Sequence, residues 1–260
     1  MNKFVKILLI VIIIASIVGI GCLGYGYYQK LTRKIQNPVA TIEVENFGTI
    51  KVELYPDIAP NTVKNFITLA NRGFYDGKTF HRTIPNFMIQ GGSKDGQGKG
   101  EPTLSDIRND GSETETYAIE GEFIANDYEK NTLKFEKGVI AMARADYSDI
   151  SSSLTKNGYD SAGSQFFIMN ADNNNLNGLY AGFGKVIEGL EIVDQIANVE
   201  VVTRDSSDTE NADKPVTLPV IKSIRVETYG VTYGEPKTVE PFNYYNWLMK
   251  QYSSSYSSEE

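Results

Sequence analysis

The chain has 260 residues, 41% hydrophobic and 22% charged, which is a globular composition and excludes a wholly disordered one. Residues 1–34 hold five bases and no acid, so the remainder sets 20 bases against 33 acids, a net of −13, and such a body repels the phosphates of a nucleic acid. A single Cys and a single His exclude a Cys/His zinc cluster and a disulfide framework.

From Ile7 to Tyr28 run 22 residues without a charge. At about 1.5 Å per residue such a helix spans a hydrocarbon core of about 30 Å. Lys3 and Lys6 precede the run like the basic start of a signal segment, and Lys30, Arg33 and Lys34 follow it, so charge bias alone does not set orientation. A very short basic N-terminus is expected to stay inside, leaving the body outside the cell. Gly19-Ile20-Gly21-Cys22 matches a lipoprotein cleavage box poorly, because Gly19 stands where a larger aliphatic residue is expected. The reading is therefore an uncleaved, single-pass anchor in the cell membrane with an extracytoplasmic body; lipoprotein processing at Cys22 is the lesser alternative. No Cys follows residue 35, which suits an oxidising exterior.

Residues 39–55 read as two strands around Asn46-Phe47-Gly48, with Ile42, Val44, Ile50, Val52 and Leu54 alternating with polar residues. Ala59-Pro60-Asn61-Thr62 opens a helix with Val63, Phe66, Ile67 and Ala70 at helical spacing, and Gly73 ends it. Short strands are predicted at Thr79–Arg82, Phe87–Gln90, Val139–Ala143, Gln165–Met169 and Phe183–Val186. A second helix is predicted at 188–198, with Leu190, Val193 and Ile196 on one face, and a last strand at Val220–Val226. Many short strands with two helices predict a mainly β fold, an antiparallel closed barrel with helices plugging its ends. Three parts follow: an anchor and basic stalk at 1–34, a barrel domain at 35–230, and an extension at 231–260 with a short helix near 242–252 and a disordered end from Ser253.

Phe80-His81-Arg82-Thr83-Ile84-Pro85-Asn86-Phe87-Met88-Ile89-Gln90-Gly91-Gly92 is the most informative run. On a strand, Met88 and Gln90 share a face and Phe87 lies near its edge, a greasy surface with few directional polar groups, as a small apolar ligand group requires, although periodicity alone equally allows an ordinary core strand. His81 reads as structural, since no second His exists to share a metal. The Gly91–Gly100 stretch is not a phosphate loop, because Lys99 is followed by Gly100.

This run resembles the signature of the cyclophilin family of peptidyl-prolyl isomerases, in the form of a membrane-anchored bacterial member. Gly138-Val139-Ile140-Ala141-Met142-Ala143-Arg144, Ser161-Ala162-Gly163-Ser164-Gln165-Phe166-Phe167-Ile168, and Leu176-Asn177-Gly178 with Phe183-Gly184-Lys185-Val186 resemble further family motifs in the family's order, and Ile119-Glu120-Gly121-Glu122-Phe123 fits more weakly. The resemblance covers about residues 39–228. It implies a closed eight-stranded antiparallel barrel capped by two α-helices, a rotamase that needs no cofactor or metal, and proline-containing peptides and unfolded secreted proteins as partners.

Residue by residue, the resemblance implies Arg82 as the catalytic donor and Phe87, Met88, Phe167 and Leu176 as the proline pocket. It implies Gln90 as a holder of the substrate backbone with Gln165 in support. The backbone of Ala143 and Arg144 would pair with residues preceding the proline, and Gly98 would lie in a loop lining the groove. Three positions depart from the family pattern. Asn175 stands in place of an aromatic, Tyr180 in place of a His, and Arg144 in place of an Asn that contacts through its backbone. The loss at Asn175 predicts weak cyclosporin binding and reduced but retained activity. Together with Tyr180 it motivates the rival expectation of a non-catalytic proline-peptide-binding or adhesion module on the same barrel.

Overall fold

The computed structural model describes residues 2–32, 36–108, 114–208 and 210–256. Its elements in chain order are α1 (Lys3–Thr32), β1 (Val39–Val44), β2 (Gly48–Leu54), α2 (Pro60–Asn71), β3 (Phe80–Ile84), β4 (Met88–Gly91), α3 (Leu104–Ile107), β5 (Val139–Met142), α4 (Thr155–Tyr159), β6 (Phe166–Met169), β7 (Gly182–Glu188), α5 (Leu190–Ala197), β8 (Ile221–Glu227) and α6 (Tyr244–Tyr256). The chain divides into two compact units, Met1–Gln36 and Asn37–Glu260.

The first unit is α1, whose described Ile, Val and Leu side chains, such as Ile7, Val11, Ile17 and Leu23, are exposed. Among the described residues no helix is long and apolar enough to cross a membrane. The side chains of Leu8, Leu9 and Ile10, which belong to the uncharged run expected to do so, lie outside the described ones, as do Arg33 and Lys34.

In the second unit, eight strands form one antiparallel sheet in the order β3-β4-β6-β5-β7-β2-β1-β8. The strand positions follow from alternation: Ala40, Ile42 and Val44 on β1 and Ile50, Val52 and Leu54 on β2 are buried, with half-buried residues between them. Asn46 and Gly48, both at positive φ, let the chain reverse so that Val44 faces Gly48. The expected closed barrel needs correction. The end strands β3 and β8 share no ladder; they meet through one isolated bridge, Thr79–Val220, and neighbouring bonds such as Phe80 N–H to Pro219 O. The sheet is thus a half-barrel, because Pro219 at the entry to β8 has no N–H to extend pairing there.

Two helices cover the core, as expected. α2 starts with Pro60 in its first turn, and the Glu122 carboxylate accepts from Asn61 N–H (3.0 Å), Thr62 N–H (2.8 Å) and the Thr62 hydroxyl (2.8 Å), satisfying donors that the helix cannot. Its Val63, Phe66, Ile67, Leu69 and Ala70 are buried. α5 buries Ile192, Val193, Ile196 and Ala197, with Leu190 packed at the margin. Phe66 anchors an aromatic cluster with Tyr75, Phe166 and Phe183 at centroid distances of 5.4, 5.6 and 5.1 Å.

The C-terminal extension departs from its expectation at its end. It packs within the second unit, with Val239 bridging to Ala118, and its helix runs to Tyr256, past the Ser253 at which order was expected to end; residues 257–260 lie outside the described ones. The central strands bury both faces. Phe166 and Ile168 of β6 join the main core, whereas Phe167 and Met169 face a smaller cluster with Met88, Phe135, Val139 and Ala141. That second cluster is the floor of the site.

Candidate functional site

Strand register assembles the site. Arg82 of β3 pairs with Gln90 of β4, Gln90 with Phe167 of β6, and Phe167 with Ala141 of β5, so a row of neighbours crosses four strands on one face. Within this row a guanidinium, a carboxamide and an aromatic ring follow one another. Met88 pairs with Met169 one step along, and Asn86 at positive φ turns the chain so that Phe87 leads into β4.

A hollow of about 140 Å³ opens on this face, lined by Arg82, Phe87, Met88, Gln90, Ala143, Arg144, Phe167, Leu176 and Tyr180. Its floor is apolar and its rim polar, the usual make-up of a small-ligand site. Tyr180 stands edge-on to Phe167 at 5.5 Å, and Phe135 backs both rings at 6.1 and 6.3 Å. The Arg144 guanidinium lies over the Tyr180 ring at 4.5 Å and donates to the Leu179 (3.1 Å) and Ala145 (2.9 Å) carbonyls.

Polar groups hold the rim in place. Gln90 Nε2 donates to Gln165 Oε1 at 3.0 Å, and Gln165 Nε2 donates to the Gly98 carbonyl at 3.2 Å. Gly98 needs its positive φ of 103°, and a Cβ there would meet His81 Cδ2 at 3.1 Å. His81 is buried behind this relay with Nδ1 unpartnered. Burial, followed by the nearby charge of Asp95 acting against it, sets its pKa at about 4, so the imidazole is neutral at pH 7.

Nine of the twelve residues singled out from the sequence line the hollow, and Gln165 and Gly98 support it through Gln90. Asn175 does not join them: it is exposed on a short 3₁₀ turn, Asn174–Leu176. The slot is walled without it, by Leu176 and Tyr180. Three residues of consequence were not singled out. Phe135 backs the floor, Asp213 stands beside Arg82 at 3.5 Å, and Glu101 borders a neighbouring hollow. Phe135 sits in no alternating run, and Arg82 and Gly163, against which Asp213 and Glu101 stand, lie far from them in sequence, so no local pattern marks them. Among the described residues no group of three or more His, Cys, Asp or Glu could hold a metal ion.

Comparison with known proteins agrees with this geometry. Residues 39–226 match the family model described as cyclophilin type peptidyl-prolyl cis-trans isomerase/CLD. Peptidyl-prolyl cis-trans isomerase B of Bacillus subtilis (strain 168) is 40% identical over 159 residues, covering 61% of this chain and 90% of that protein. A peptidyl-prolyl cis-trans isomerase of Acinetobacter baylyi is 42% identical over 163 residues, 61% of this chain and 71% of that one. Among solved structures, a Cryptosporidium parvum cyclophilin type peptidyl-prolyl cis-trans isomerase, crystallised in the presence of the dipeptide Ala-Pro, superposes with a TM-score of 0.55 at 30% identity, covering 73% of this chain and 98% of that one.

Proposed function

The chain belongs to the cyclophilin-type peptidyl-prolyl cis-trans isomerase family and is an isomerase, and from that premise we propose that Arg82 drives rotation about Xaa-Pro bonds held in the 140 Å³ hollow. Resonance gives the peptide bond a barrier of about 18–20 kcal/mol, so the uncatalysed exchange takes tens to hundreds of seconds. Rotation breaks no bond and moves no proton, so it calls for grip and charge rather than for a nucleophile.

The apolar floor of Phe87, Met88, Phe167 and Leu176 takes the pyrrolidine ring, and the Gln90 carboxamide and the backbone at Ala143 and Arg144 hold the flanking chain. As the amide twists, the prolyl nitrogen becomes pyramidal and acquires a lone pair. A guanidinium is permanently charged and offers a rigid fork of donors, so Arg82 favours the twisted amide over the planar one, and only that difference accelerates the step. The observation that carries this reading is that Arg82 and an apolar floor line one hollow. The Ala-Pro dipeptide of the C. parvum relative's structure supports a proline-containing substrate.

The setting we infer is a bacterial cell membrane, with α1 as a single-pass anchor and the catalytic unit outside, assisting secreted chains. The uncharged run from Ile7 to Tyr28, the exposed apolar side chains of α1 and the absence of Cys beyond residue 35 support it. Cys22 is free, and an intact mass for the membrane-extracted protein is the expected result if the anchor is not processed there.

The test of the mechanism is an isomerisation assay on the full chain in mild detergent. Arg82→Ala is expected to lower turnover by about 10²–10³, the scale for one key transition-state donor. Equal rates for variant and parent would refute the role.

A further inference from the structure

Beside the proline slot lies a second hollow of about 250 Å³. It shares Gln90, Ala143 and Arg144 with the slot, and its far side is made by Glu101, Pro241 and Phe242. Pro241 and Phe242 lie beyond residue 226, where the family match ends. They are held there by specific contacts. Lys237 N–H donates to Asn61 Oδ1 (2.7 Å) while Asn61 Nδ2 returns a bond to the Lys237 carbonyl (2.9 Å). Val239 and Ala118 exchange backbone bonds of 2.8 and 3.0 Å, and the Phe242 ring packs on Tyr147 at 5.0 Å.

The negative charge of this hollow comes from Glu101. Its Oε2 lies so close over Gly163 that a Cβ at that glycine would meet it at 2.6 Å. Desolvation raises the Glu101 pKa, and no counter-charge acts against it. Arg144, the one cation of this lining among the described residues, keeps its charge but is held by the Leu179 and Ala145 carbonyls and the rings of Tyr180, Tyr159 and Phe123, and that charge does not act on the Glu101 carboxylate. What remains is a carboxylate above an aromatic wall. A long aliphatic stem with a cationic head matches that pairing.

We propose that residues 237–242 are a specificity element: with Glu101 they build a subsite for a lysine or arginine side chain two residues before the substrate's proline. The position follows from extended geometry, because side chains two apart project to the same side, so a proline seated in the slot places the second residue before it over the neighbouring hollow. The proposal rests on the reading of the slot given above.

The experiment compares kcat/KM of the full chain in mild detergent for Ala-Lys-Ala-Pro-Phe and Ala-Glu-Ala-Pro-Phe, with Glu101→Gln and Phe242→Ala alongside. The parent is expected to favour the lysine peptide by about tenfold, the sum of a modest attraction and a matching repulsion at a partly exposed carboxylate. Each variant is expected to cut that ratio to about threefold or less, and because the readout is a ratio, a general loss of activity does not move it. A parental ratio near one, or a ratio that both variants leave intact, overturns the subsite. Arg82→Ala run beside them separates the two readings: if it turns over at the parental rate, the slot reading and the subsite built on it both fall, whereas lost turnover there with an unmoved ratio overturns the subsite alone.

Discussion

Asp213 Oδ2 stands 3.5 Å from the Arg82 guanidinium, so the proposed donor shares its charge with a carboxylate from a distant loop. The loop is firmly placed. Thr83 N–H donates to the Asp213 carbonyl at 2.9 Å, Asp213 sits at a positive φ of 61°, and its other oxygen holds Arg204 at 3.0 Å. Asp213 is largely buried (16% exposed) and also holds Arg204, whereas Arg82 is 43% exposed, so water screens the Arg82 pair. Its value is in orientation, restricting where the fork of donors points.

Asp213→Asn is therefore expected to lower kcat by about three- to tenfold with KM nearly unchanged, the effect of roughly 1 kcal/mol of lost orientation. Stability should fall by about 1 kcal/mol, because Asp213 is largely buried and its pair with Arg204 is lost with the charge. A double-mutant cycle decides whether the carboxylate acts through the arginine: added to Arg82→Ala, the second change should cost nothing more. Full additivity would mean that Asp213 acts elsewhere.

A second consequence concerns acid. His81 is buried and neutral, with a pKa of about 4 against about 6.5 when unfolded. The unfolded chain therefore binds the proton more readily. The contribution is intact above about pH 6.5 and is lost as pH falls toward 4, by about 3 kcal/mol. Urea midpoints of the parent and His81→Phe, taken at pH 7 and pH 4, isolate this group from the carboxylates that also titrate in acid. The parent should lose more stability across the window than the variant. Identical slopes would show that His81 is not kept neutral by its surroundings.

How much of this was legible in the sequence depends on range. The strands and the two main helices were readable because alternation and helical spacing are local: Ile42, Val44, Ile50 and Val52 are all buried, as are Val63 and Phe66. The roles proposed for Phe87, Met88 and Gln90 came from the resemblance, since alternation alone also allows an ordinary core strand there; register then sets Gln90 beside Arg82 and Phe167. What escaped is what depends on distant segments meeting. Asp213 reaches Arg82 from the loop before β8 with Arg204 paired to it, Phe135 arrives from a stretch without regular structure, and Phe242 arrives from the C-terminal extension. Closure of the sheet failed for the same reason, since whether β3 and β8 form a ladder is decided by where Pro219 falls rather than by either strand's own pattern.

The last prediction takes up Asn175. It is exposed on the turn that delivers Leu176 to the slot, so an aromatic side chain there has room to lie along the rim without displacing the wall. Asn175→Trp would offer a broad apolar face and one N–H donor to a large ligand seated in the slot. Covering about 80 Å² of apolar surface is worth about 2 kcal/mol, of which part is offset by ordering the indole, leaving at least a tenfold gain. Small proline peptides reach the floor without touching this rim, so their turnover should change by less than about threefold. Cyclosporin titration of the parent and Asn175→Trp, read by inhibition of isomerisation, checks both halves. Weak binding by the parent and at least tenfold tighter binding by the variant is the expected pair. Tight binding by the parent would show that the slot engages the ligand fully without an aromatic at this position.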